Sequence, residues 1–467
     1  MRILHGGDFL YPSLESQLWN GQQMVEALNY LDEVAPLYLT AGNHEFDRST
    51  PEHLINAVRA SQFDWLGDNY YFNTGAADVD SAIQPVFTYE HAGKTIGIFS
   101  LTLEARDSGN DRDYVEAGRN YATVAEWTIE QFETQGVDVI IGLTHLHMTD
   151  DVQISKLRAE HPKLEFIVGG HEHEVQQQAQ SEEAAAIFKG SSNARDIWRI
   201  DVDFDEHGNA SMHADLLPLD ATVVKDESYA KISASWRKTL IAEFPDIEEK
   251  LGEAGHRFNV TEEFVRNEES GWANFLVDQA RGAFGEPQAD LAFINSGSIR
   301  IDDYIAGDIT REDVERTFGF PSQVRRFSVT GAEFVALLEA GYRGGRRGEG
   351  YFPQISGFRV CVDYNLPDHS RIVSLQLPGT AGWSEIDASQ IYTVVLPDFL
   401  FGDQDGYVMP QSARESVSPI GPEIKQLVLD AVADLYAKGE EIGHKVDPAN
   451  PRFVALGPDR ESCWSAL

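Results

Sequence analysis

Four short clusters in the first half of the sequence combine glycine with carboxylate, amide or imidazole side chains. They are Gly-Gly-Asp at 6–8, Gly-Asn-His-Glu-Phe-Asp at 42–47, Thr-His at 144–145 and Gly-Gly-His-Glu-His at 169–173. Their oxygen and nitrogen ligands suit Zn, Mn, Fe or Co, and the lack of thiolates in the clusters fits a catalytic rather than a structural site. Glycines beside the ligands let the backbone bend sharply and let a phosphate approach closely.

Each cluster has a simpler explanation when it is taken alone. A Gly-Asp pair is usually a turn, and a Thr-His pair at the end of a strand is more often a buried, hydrogen-bonded histidine. The segments at 42–47 and 169–173 are stronger signals, because each places histidine beside other residue types that bind metals. All four occur together at the ends of predicted strands, and this combination favours a metal site over four unrelated turns.

A metal site of this composition fits the hydrolysis of a phosphate ester. That reaction requires an activated water, neutralisation of charge on the phosphoryl oxygens and an aligned leaving group. Two neighbouring metal ions provide all three, and a histidine next to the ligands adds a positive hydrogen-bond donor at the transition state.

The elements that position these clusters alternate between strand and helix. Residues 36–40, 137–143 and 164–168 are predicted to form buried strands, because they are short, apolar and rich in β-branched residues. Each strand leads directly into a polar cluster, and in α/β sheets ligands collect in loops at the carboxyl ends of strands. We therefore predict a layered α/β domain over residues 1–223.

The rest of the chain divides into a connector and a second domain. Residues 224–257 are predicted to form a connecting helix with a partial apolar face that includes Trp236 and Leu240. Residues 258–458 form the predicted second domain, of α/β or α+β type, and residues 459–467 form a tail. A chain of 467 residues is too long for one compact core, which agrees with two domains.

Composition excludes several classes of protein. The chain has 76 acidic and 37 basic residues, a formal net charge of −39, and such a surface repels DNA and RNA. No apolar run approaches the roughly 18 residues that a membrane span needs. The two cysteines, Cys361 and Cys463, are too few for a thiolate metal cluster, but they are able to pair with each other.

Together the four clusters resemble the signature of the calcineurin-like metallophosphoesterases. The Glu-Phe-Asp ending of the 42–47 segment is similar to the version in the 5′-nucleotidase and UDP-sugar hydrolase family. The resemblance implies an α/β fold: a layered metallophosphoesterase β-sandwich flanked by helices, joined by a helix to a second, substrate-binding domain. It also implies a centre of two divalent metal ions, Zn, Mn or similar.

The resemblance also implies a role for each matching ligand. Asp8 would bridge the two metal ions, and His173 would bind the second of them. The site of the first ion would be completed by Asn43, His145 and His171.

Two residues beside the ligands have catalytic roles in the resembled family. His44 would stabilise the charge on the phosphoryl group and act as a proton donor. Asp47, three residues later, would orient the His44 ring.

One part of the family pattern is missing before Gly7. In the resembled family, an Asp-x-His motif on the first strand supplies two further ligands to the second metal ion. Only six residues precede Gly7 here, and His5 has no aspartate two positions earlier. We therefore expect the native chain to be longer at its N-terminus. The alternatives are that the protein works with only one metal ion, or that it is a non-catalytic relative.

Three clusters in the second half resemble the nucleotide-binding domain of the same family. They are Asn-Ser-Gly-Ser-Ile-Arg at 295–300, Gly-Tyr-Phe-Pro-Gln-Ile-Ser-Gly at 350–357 and Asp-Phe-Leu-Phe-Gly-Asp-Gln-Asp-Gly-Tyr at 398–407. The resemblance implies that the substrate-binding residues are Asn295, Arg300, Phe352, Phe399 and Asp405.

Each of these residues would bind a different part of the substrate. Phe352 and Phe399 would stack on the two faces of the base, and every base has such a face. Arg300 would hold a phosphate, and Asp405 would bind the base or the ribose. The sequence departs from the family at 403–404, where Asp-Gln replaces the usual Gly-Gly. We expect this change to alter the backbone of the loop.

A phosphate site on so acidic a protein requires arginines concentrated near it. Arg343, Arg346 and Arg347 lie shortly before the 350–357 segment and are candidates for phosphate contact. The sequence leaves open which of the three faces the substrate.

The predicted function is the removal of the 5′-phosphate from nucleoside monophosphates by a metal-bound hydroxide, with a small nucleotide as the partner and no polynucleotide. A related activity on UDP-sugars, nucleoside di- or triphosphates or 2′,3′-cyclic nucleotides is one alternative. A nucleotide-binding pseudoenzyme is the other, because of the missing ligands. Many members of the family act outside the cytoplasm, which favours a periplasmic or extracellular location.

Overall fold

The computed structural model describes residues 1–104, 112–206, 210–344, 348–380, 382–457 and 462–464. The chain divides into two compact units, Met1–Thr239 and Leu240–Leu467. Arg346, Arg347 and most of the predicted tail lie outside the described residues. Within the described part of the chain, no helix has both the length and the apolar character that a membrane crossing requires.

The first unit alternates strands with helices along the chain. Its strands are β1 (Ile3–His5), β2 (Leu37–Thr40), β3 (Asp64–Leu66), β4 (Tyr70–Phe72), β5 (Phe87–His91), β6 (Lys94–Thr102), β7 (Val115–Ala117), β8 (Val139–His145), β9 (Leu164–Gly169), β10 (Gln176–Gln178), β11 (Ala186–Lys189), β12 (Asp196–Phe204) and β13 (Ala210–Pro218). Its helices are α1 (Leu14–Trp19), α2 (Gln22–Val34), α3 (Glu52–Ala60), α4 (Ala77–Asp80), α5 (Tyr121–Gln135) and α6 (Met148–Ser155), and α7 (Glu227–Glu243) contains the boundary between the units.

Two sheets enclose the core of the first unit. Strands β1, β2 and β3 pair in parallel in that order, and a second sheet has the order β10-β11-β9-β8-β6-β5. Tyr38 on β2 and Ile141 on β8 belong to one buried apolar cluster. Ile129 on α5 and Ile154 on α6 pack with residues of the larger sheet in another cluster. The predicted fold, a β-sandwich flanked by helices, is therefore confirmed.

The three strands predicted to lead into the polar clusters are also present. They are β2, β8 and β9, which end at Thr40, His145 and Gly169. All residues of β8 are buried, because the strand has a neighbour on each side and is covered on both faces. β8 and β9 pair in parallel, so the loops that carry His145 and His171 leave the sheet at the same edge.

The predicted connecting helix is shorter than expected. α7 ends at Glu243, and Lys250–Asn259 form strand β14 instead of continuing the helix to residue 257. This strand pairs with β16 (Tyr304–Thr310), and the backbone N–H of Gly255 donates to the carbonyl of Ile442. Pairing with segments distant in sequence therefore overrides the charged pattern on which the helix prediction was based.

The second unit has shorter elements and more turns. Its other strands are β15 (Leu291–Asn295), β17 (Val324–Thr330), β18 (Pro353–Ser356), β19 (Arg359–Asp363), β20 (Ile372–Gly379), β21 (Gly382–Glu385), β22 (Ile391–Pro397) and β23 (Phe453–Leu456). Its helices are α8 (Glu262–Val265), α9 (Gly271–Gly282), α10 (Arg311–Thr317), α11 (Gly331–Leu338), α12 (Asp398–Phe401), α13 (Gln411–Ser416) and α14 (Ile424–Ala437).

A mixed sheet in the order β17-β22-β15-β18 separates two cores in the second unit. On one side, Trp272 of α9 and Val428 of α14 pack in a buried cluster with Ile294 of β15. On the other, Phe293 of β15 packs in a cluster with Phe334 of α11. Neighbouring residues of β15 point to opposite faces, so this strand contributes to both cores. Packing on both faces fixes the position of its last residue, Asn295.

A disulfide joins Cys361 on β19 to Cys463, and the two cysteines are 102 residues apart in the sequence. Cys361 is fully buried. The second four-stranded sheet, β21-β20-β19-β23, contains the same strand, and β23 pairs in parallel with β19. The disulfide therefore attaches the segment that follows β23 to the strand with which β23 pairs.

We predict that Cys463→Ser lowers the free energy of unfolding by about 2–4 kcal/mol, because the unfolded chain gains freedom when a long loop is opened. Urea unfolding followed by tryptophan fluorescence measures the change. The wild-type protein unfolded without reductant should expose no reactive thiol, and two after reduction. Two thiols without reductant would contradict the pairing.

Candidate functional site

The buried carboxylate of Glu45 joins the loop after β1 to the loop after β2. Its Oε1 accepts hydrogen bonds from the backbone N–H groups of Phe9 (2.8 Å) and Leu10 (3.0 Å). Its Oε2 accepts from the N–H of Asp8 at 2.8 Å and from the N–H of Gly42. Burial and the nearby Asp8 carboxylate raise the pKa of Glu45, and these amide hydrogen bonds oppose the rise. No sequence motif indicates this role for Glu45.

Two glycines let these loops approach each other. Gly7 has a φ of +86°, and a Cβ atom there would lie 2.4 Å from the backbone nitrogen of Gly42. A Cβ atom on Gly42 would lie 2.2 Å from Oδ1 of Asp8. Any side chain at either position would therefore push the Asp8 carboxylate away from the second loop.

The predicted ligands of the first metal ion come together at this point. Nε2 of His145 lies 3.1 Å from Oδ2 of Asp8 and 3.1 Å from Oδ1 of Asn43. Nδ1 of His171 lies 3.2 Å from the same Asn43 oxygen. One potential ligand atom from each of Asp8, His145 and His171 lies within 4.8 Å of the others.

The contacts of His145 show what this cluster is suited to bind. Its Nδ1 faces the carbonyl oxygen of Gly6, which only accepts hydrogen bonds, so Nδ1 carries a proton. In the neutral ring Nε2 therefore carries a lone pair and no proton. This lone pair faces the oxygens of Asp8 and Asn43, which are also acceptors. Burial lowers the pKa of His145, but Asp8, the Gly6 carbonyl and Glu45 together outweigh burial and raise the pKa, so a positive charge is favoured here. A metal cation supplies that charge and binds all three atoms.

Two further observations agree with a cation site. Oδ2 of Asp8 is buried and accepts no hydrogen bond of good geometry. Burial and the neighbouring His145 and His147 hold the pKa of His171 well below its usual range, so its ring is neutral and able to bind a metal. A histidine whose other nitrogen donates to a carbonyl is also typical of metal ligands. The residues present therefore fit a divalent ion.

The ligand predicted for the second metal ion is not part of this group. Among the described residues, the converging carboxylate and imidazole atoms come from Asp8, His145 and His171, and His173 does not contribute. His173 has a φ of +61°, and its carbonyl accepts a hydrogen bond from the N–H of Ser192. The described residues therefore assemble part of the two-ion centre that the sequence predicted.

The two predicted catalytic residues contact each other beside the ligands. Nδ1 of His44 lies 2.9 Å from Oδ2 of Asp47, and the His44 backbone N–H donates to Oδ1 of Asp8 at 2.8 Å. Arg112 holds the backbone of residues 46–47, because its guanidinium donates to the carbonyls of Phe46 (3.1 Å) and Asp47 (2.9 Å). No sequence motif singled out Arg112, which lies far from the turn in sequence.

In the second unit, three predicted substrate residues lie near one another. The side-chain amide of Asn295 donates to Oδ2 of Asp405 at 2.9 Å. Burial raises the pKa of Asp405, while the Asn295 hydrogen bond and the positive charges of Arg343, Arg300 and Arg266 oppose the rise. The positive charges of three arginines therefore act on Asp405, the residue predicted to bind the ribose or the base.

Each of two arginines is held by backbone carbonyls. The Arg300 Nε donates to the carbonyl of Gly297 at 2.6 Å. The Arg343 guanidinium donates to the carbonyls of Ala340 and Asp405, both at 2.7 Å, and stacks over the ring of Tyr351 at 3.6 Å. Of the three arginines proposed near the 350–357 segment, Arg343 is the described one, and it lies beside Asp405.

The two predicted stacking residues have different environments. Phe399 on α12 is 42% exposed, so a face of its ring is accessible. Phe352 is only 4% exposed and packs edge-on against Tyr342 and Phe453 in the core of the unit. The structure therefore contradicts the prediction that Phe352 offers a ring face to the base: neighbouring aromatic side chains cover it.

The Asp-Gln substitution at 403–404 fits the loop without glycine. Asp403 and Asp405 adopt φ values of +62° and +52°, in the left-handed region that aspartate tolerates better than most residues. Oδ1 of Asp403 also accepts a hydrogen bond from the N–H of Met409 at 2.8 Å. Asp403 thus adopts a left-handed backbone conformation at a position where the resembled family carries glycine.

Comparison with family models gives two matches. Residues 2–175 match the calcineurin-like phosphoesterase model, and residues 249–412 match the model of the 5′-nucleotidase C-terminal domain. Each match lies within one of the two units.

The chain is also similar to curated proteins along most of its length. It is 25% identical over 449 residues to the trifunctional nucleotide phosphoesterase protein YfkN of Bacillus subtilis, and the match covers 87% of this chain but only 30% of that protein. It is 22% identical over 467 residues to the snake venom 5′-nucleotidase of Gloydius brevicauda, with 91% of this chain and 78% of that protein covered.

Solved structures share the fold. The 5′-nucleotidase precursor from Thermus thermophilus superposes with a TM-score of 0.81 at 21% identity, over 97% of this chain and 89% of that chain. The sulfate thiohydrolase SoxB of the same species gives a TM-score of 0.73 at 15% identity, over 98% and 79% of the two chains.

We predict that Glu45→Gln lowers the free energy of unfolding by about 1.5–3 kcal/mol, because an amide NH₂ would face backbone N–H groups that need an acceptor. Urea unfolding of the metal-free protein measures this loss. Glu33→Gln makes the same change at an exposed position on α2 and should leave stability unaltered. Equal stability of the two variants would contradict the role of Glu45.

Proposed function

Because the chain belongs to the 5′-nucleotidase family, whose phosphoesterase and C-terminal domain models both match it, we propose that it hydrolyses the 5′-phosphate of nucleoside monophosphates. The family supports hydrolysis of a phosphoric ester with a divalent metal. The observation that carries the proposal is the meeting of Asp8, Asn43, His145 and His171 at one point beside His44.

The metal site would be formed by these same four residues. A divalent ion bound there supplies Lewis acidity, which activates water and neutralises charge on the phosphoryl oxygens. The hydrogen bond from His145 Nδ1 to the Gly6 carbonyl orients the ring toward Asp8 and Asn43 before the ion binds. Glu45 keeps the Asp8 loop in place through the backbone, so the carboxylate is preorganised.

His44 is proposed to stabilise the transition state and to donate a proton. Its Nδ1 faces the Asp47 carboxylate, which fixes the ring orientation and favours a proton on that nitrogen. Nε2 is then the atom that donates to a phosphoryl or leaving-group oxygen when the ring is protonated.

The second unit is proposed to bind the nucleotide. The accessible ring of Phe399 stacks on the base, and Asp405, held by Asn295, accepts hydrogen bonds from the ribose or the base. Arg300 and Arg343 hold anionic oxygens of the substrate with guanidinium groups that backbone carbonyls already orient.

A nucleotide-binding protein without turnover is the second candidate. The observation that favours it is the position of His173 outside the converging ligand group. Such a protein would retain the substrate residues of the second unit and bind nucleotide without releasing phosphate.

We also propose that the protein acts outside the cytoplasm. The Cys361–Cys463 disulfide supports this location, because structural disulfides persist in oxidising compartments.

We predict that phosphate release from 5′-AMP is lost after treatment with EDTA and returns when Mn²⁺ or Zn²⁺ is added back. His44→Ala should lower kcat by about 10²–10³-fold, because it removes a hydrogen-bond donor at the transition state. A colorimetric phosphate assay on the metal-loaded protein measures both effects.

His213→Ala is the matched control for this experiment. The His213 side chain is 70% exposed on β13, and its removal should not change kcat. AMP binding without phosphate release in the metal-loaded wild type would sink the hydrolase proposal and favour the binding protein.

We predict that Phe399→Ala raises KM for 5′-AMP roughly 5- to 150-fold, because base stacking on an aromatic ring contributes about 1–3 kcal/mol. Initial rates across AMP concentrations give KM and kcat separately. Tyr436→Ala, at a ring of similar exposure on α14, should leave both values unchanged. Equal KM values in the two variants would argue against stacking on Phe399.

A further inference from the structure

Lys189, the last residue of β11, carries an ammonium group that is fully buried. Its Nζ donates to the carbonyl of Leu146 and to the carbonyl of Gly170 at 3.1 Å. It also lies 2.9 Å from Oδ2 of Asp151 on α6. The ammonium group thus donates to two carbonyls and forms an ion pair with one carboxylate, and the three oxygens come from three different segments.

The two carbonyls belong to the loops that carry candidate metal ligands. Leu146 directly follows His145, and Gly170 directly precedes His171. A single ammonium group therefore links the peptide next to one ligand to the peptide next to the other. Because a buried ammonium is costly to leave without acceptors, each loop is held where its carbonyl reaches Nζ.

The position of Lys189 is itself well fixed. β11 pairs in parallel with β9, where Lys189 lies opposite Gly169. The indole N–H of Trp198 donates to the Lys189 carbonyl at 3.0 Å. A Cβ atom on Gly169 would approach Cε of Lys189 to 3.0 Å, so the lysine passes close to the strand before His171.

The charge of Lys189 is balanced locally. Asp151 is fully buried, and burial raises its pKa, while the Lys189 charge opposes that rise. Glu172, between His171 and His173, has a carboxylate oxygen 3.9 Å from Nζ and accepts a hydrogen bond from the N–H of Met148, the first residue of α6. The lysine, helix α6 and the two ligand loops thus form one connected polar network.

We propose that Lys189 is a positioning residue of the metal site, which sets the separation of His145 and His171 through their neighbouring carbonyls. This inference rests on the proposed metal-dependent function. Lys189 does not touch the ligand atoms. Its effect is on the affinity for the ion, because the ligands are held ready when the ion arrives.

The test compares Mn²⁺ binding to Lys189→Met and Lys163→Met, both stripped with EDTA, by isothermal titration calorimetry. Methionine is unbranched and only one atom shorter than lysine, and it removes the charge and the hydrogen-bond donors. Lys163 is a matched control, because its Nζ donates to the carbonyl of Val137, just before the amino end of β8 and away from the ligand loops. We expect Mn²⁺ affinity to fall about 10- to 100-fold in Lys189→Met and to stay at the wild-type value in Lys163→Met.

A second variant separates positioning from folding. Lys189→Met leaves the buried Asp151 carboxylate without its cation, so Asp151→Asn/Lys189→Met is measured beside it to remove both charges. The same 10- to 100-fold weakening, roughly, is expected in the double variant. A folded single or double variant that binds Mn²⁺ as tightly as wild type overturns the inference and leaves a purely structural role. Failure of the wild type to bind Mn²⁺ is a different result, because it refutes the proposed metal site itself.

Discussion

The Glu45 carboxylate accepts hydrogen bonds from four backbone amides, three of them in residues 8–10 and one at Gly42. In the low-dielectric interior such charge-assisted bonds are strong, so neither loop moves without exposing donors that have no other acceptor. Asp8 continues the network by accepting from the N–H of His44. The orientation of the candidate bridging ligand and that of the candidate catalytic histidine therefore depend on one buried anion.

The sequence was sufficient to predict the elements whose signals are local. Apolar, β-branched runs identified β2, β8 and β9, and the motifs after them named Asn43 and His145 among residues that the fold brings together. Features set by distant partners were not predictable. β14 forms because β16 is available to it, and Phe352 is covered by aromatic neighbours that no motif specifies. The roles of Glu45 and Lys189 likewise depend on carbonyl and amide groups of other loops.

In both units, backbone groups orient the polar side chains of the candidate sites. In the first, histidine rings and carboxylates are oriented by backbone groups, such as the Gly6 carbonyl that contacts His145. In the second, the Arg343 guanidinium donates to two carbonyls, which orient it without cancelling its charge. Arg300 donates to the Gly297 carbonyl and also lies 3.4 Å from the Glu262 carboxylate. On a chain with a formal net charge of −39, such oriented cations are what makes attraction of an anionic substrate possible.

The position of β23 has a consequence for how the chain acquires its structure during synthesis. Val360 on β19 pairs with Phe453 on β23, so this sheet of the second unit stays incomplete until the ribosome has passed residue 456. The first unit closes its own contacts by residue 239 and is able to fold much earlier. Synthesis from the N-terminus thus leaves one edge of β19 unpaired until β23 has been made, and an unpaired strand edge is able to pair with other chains.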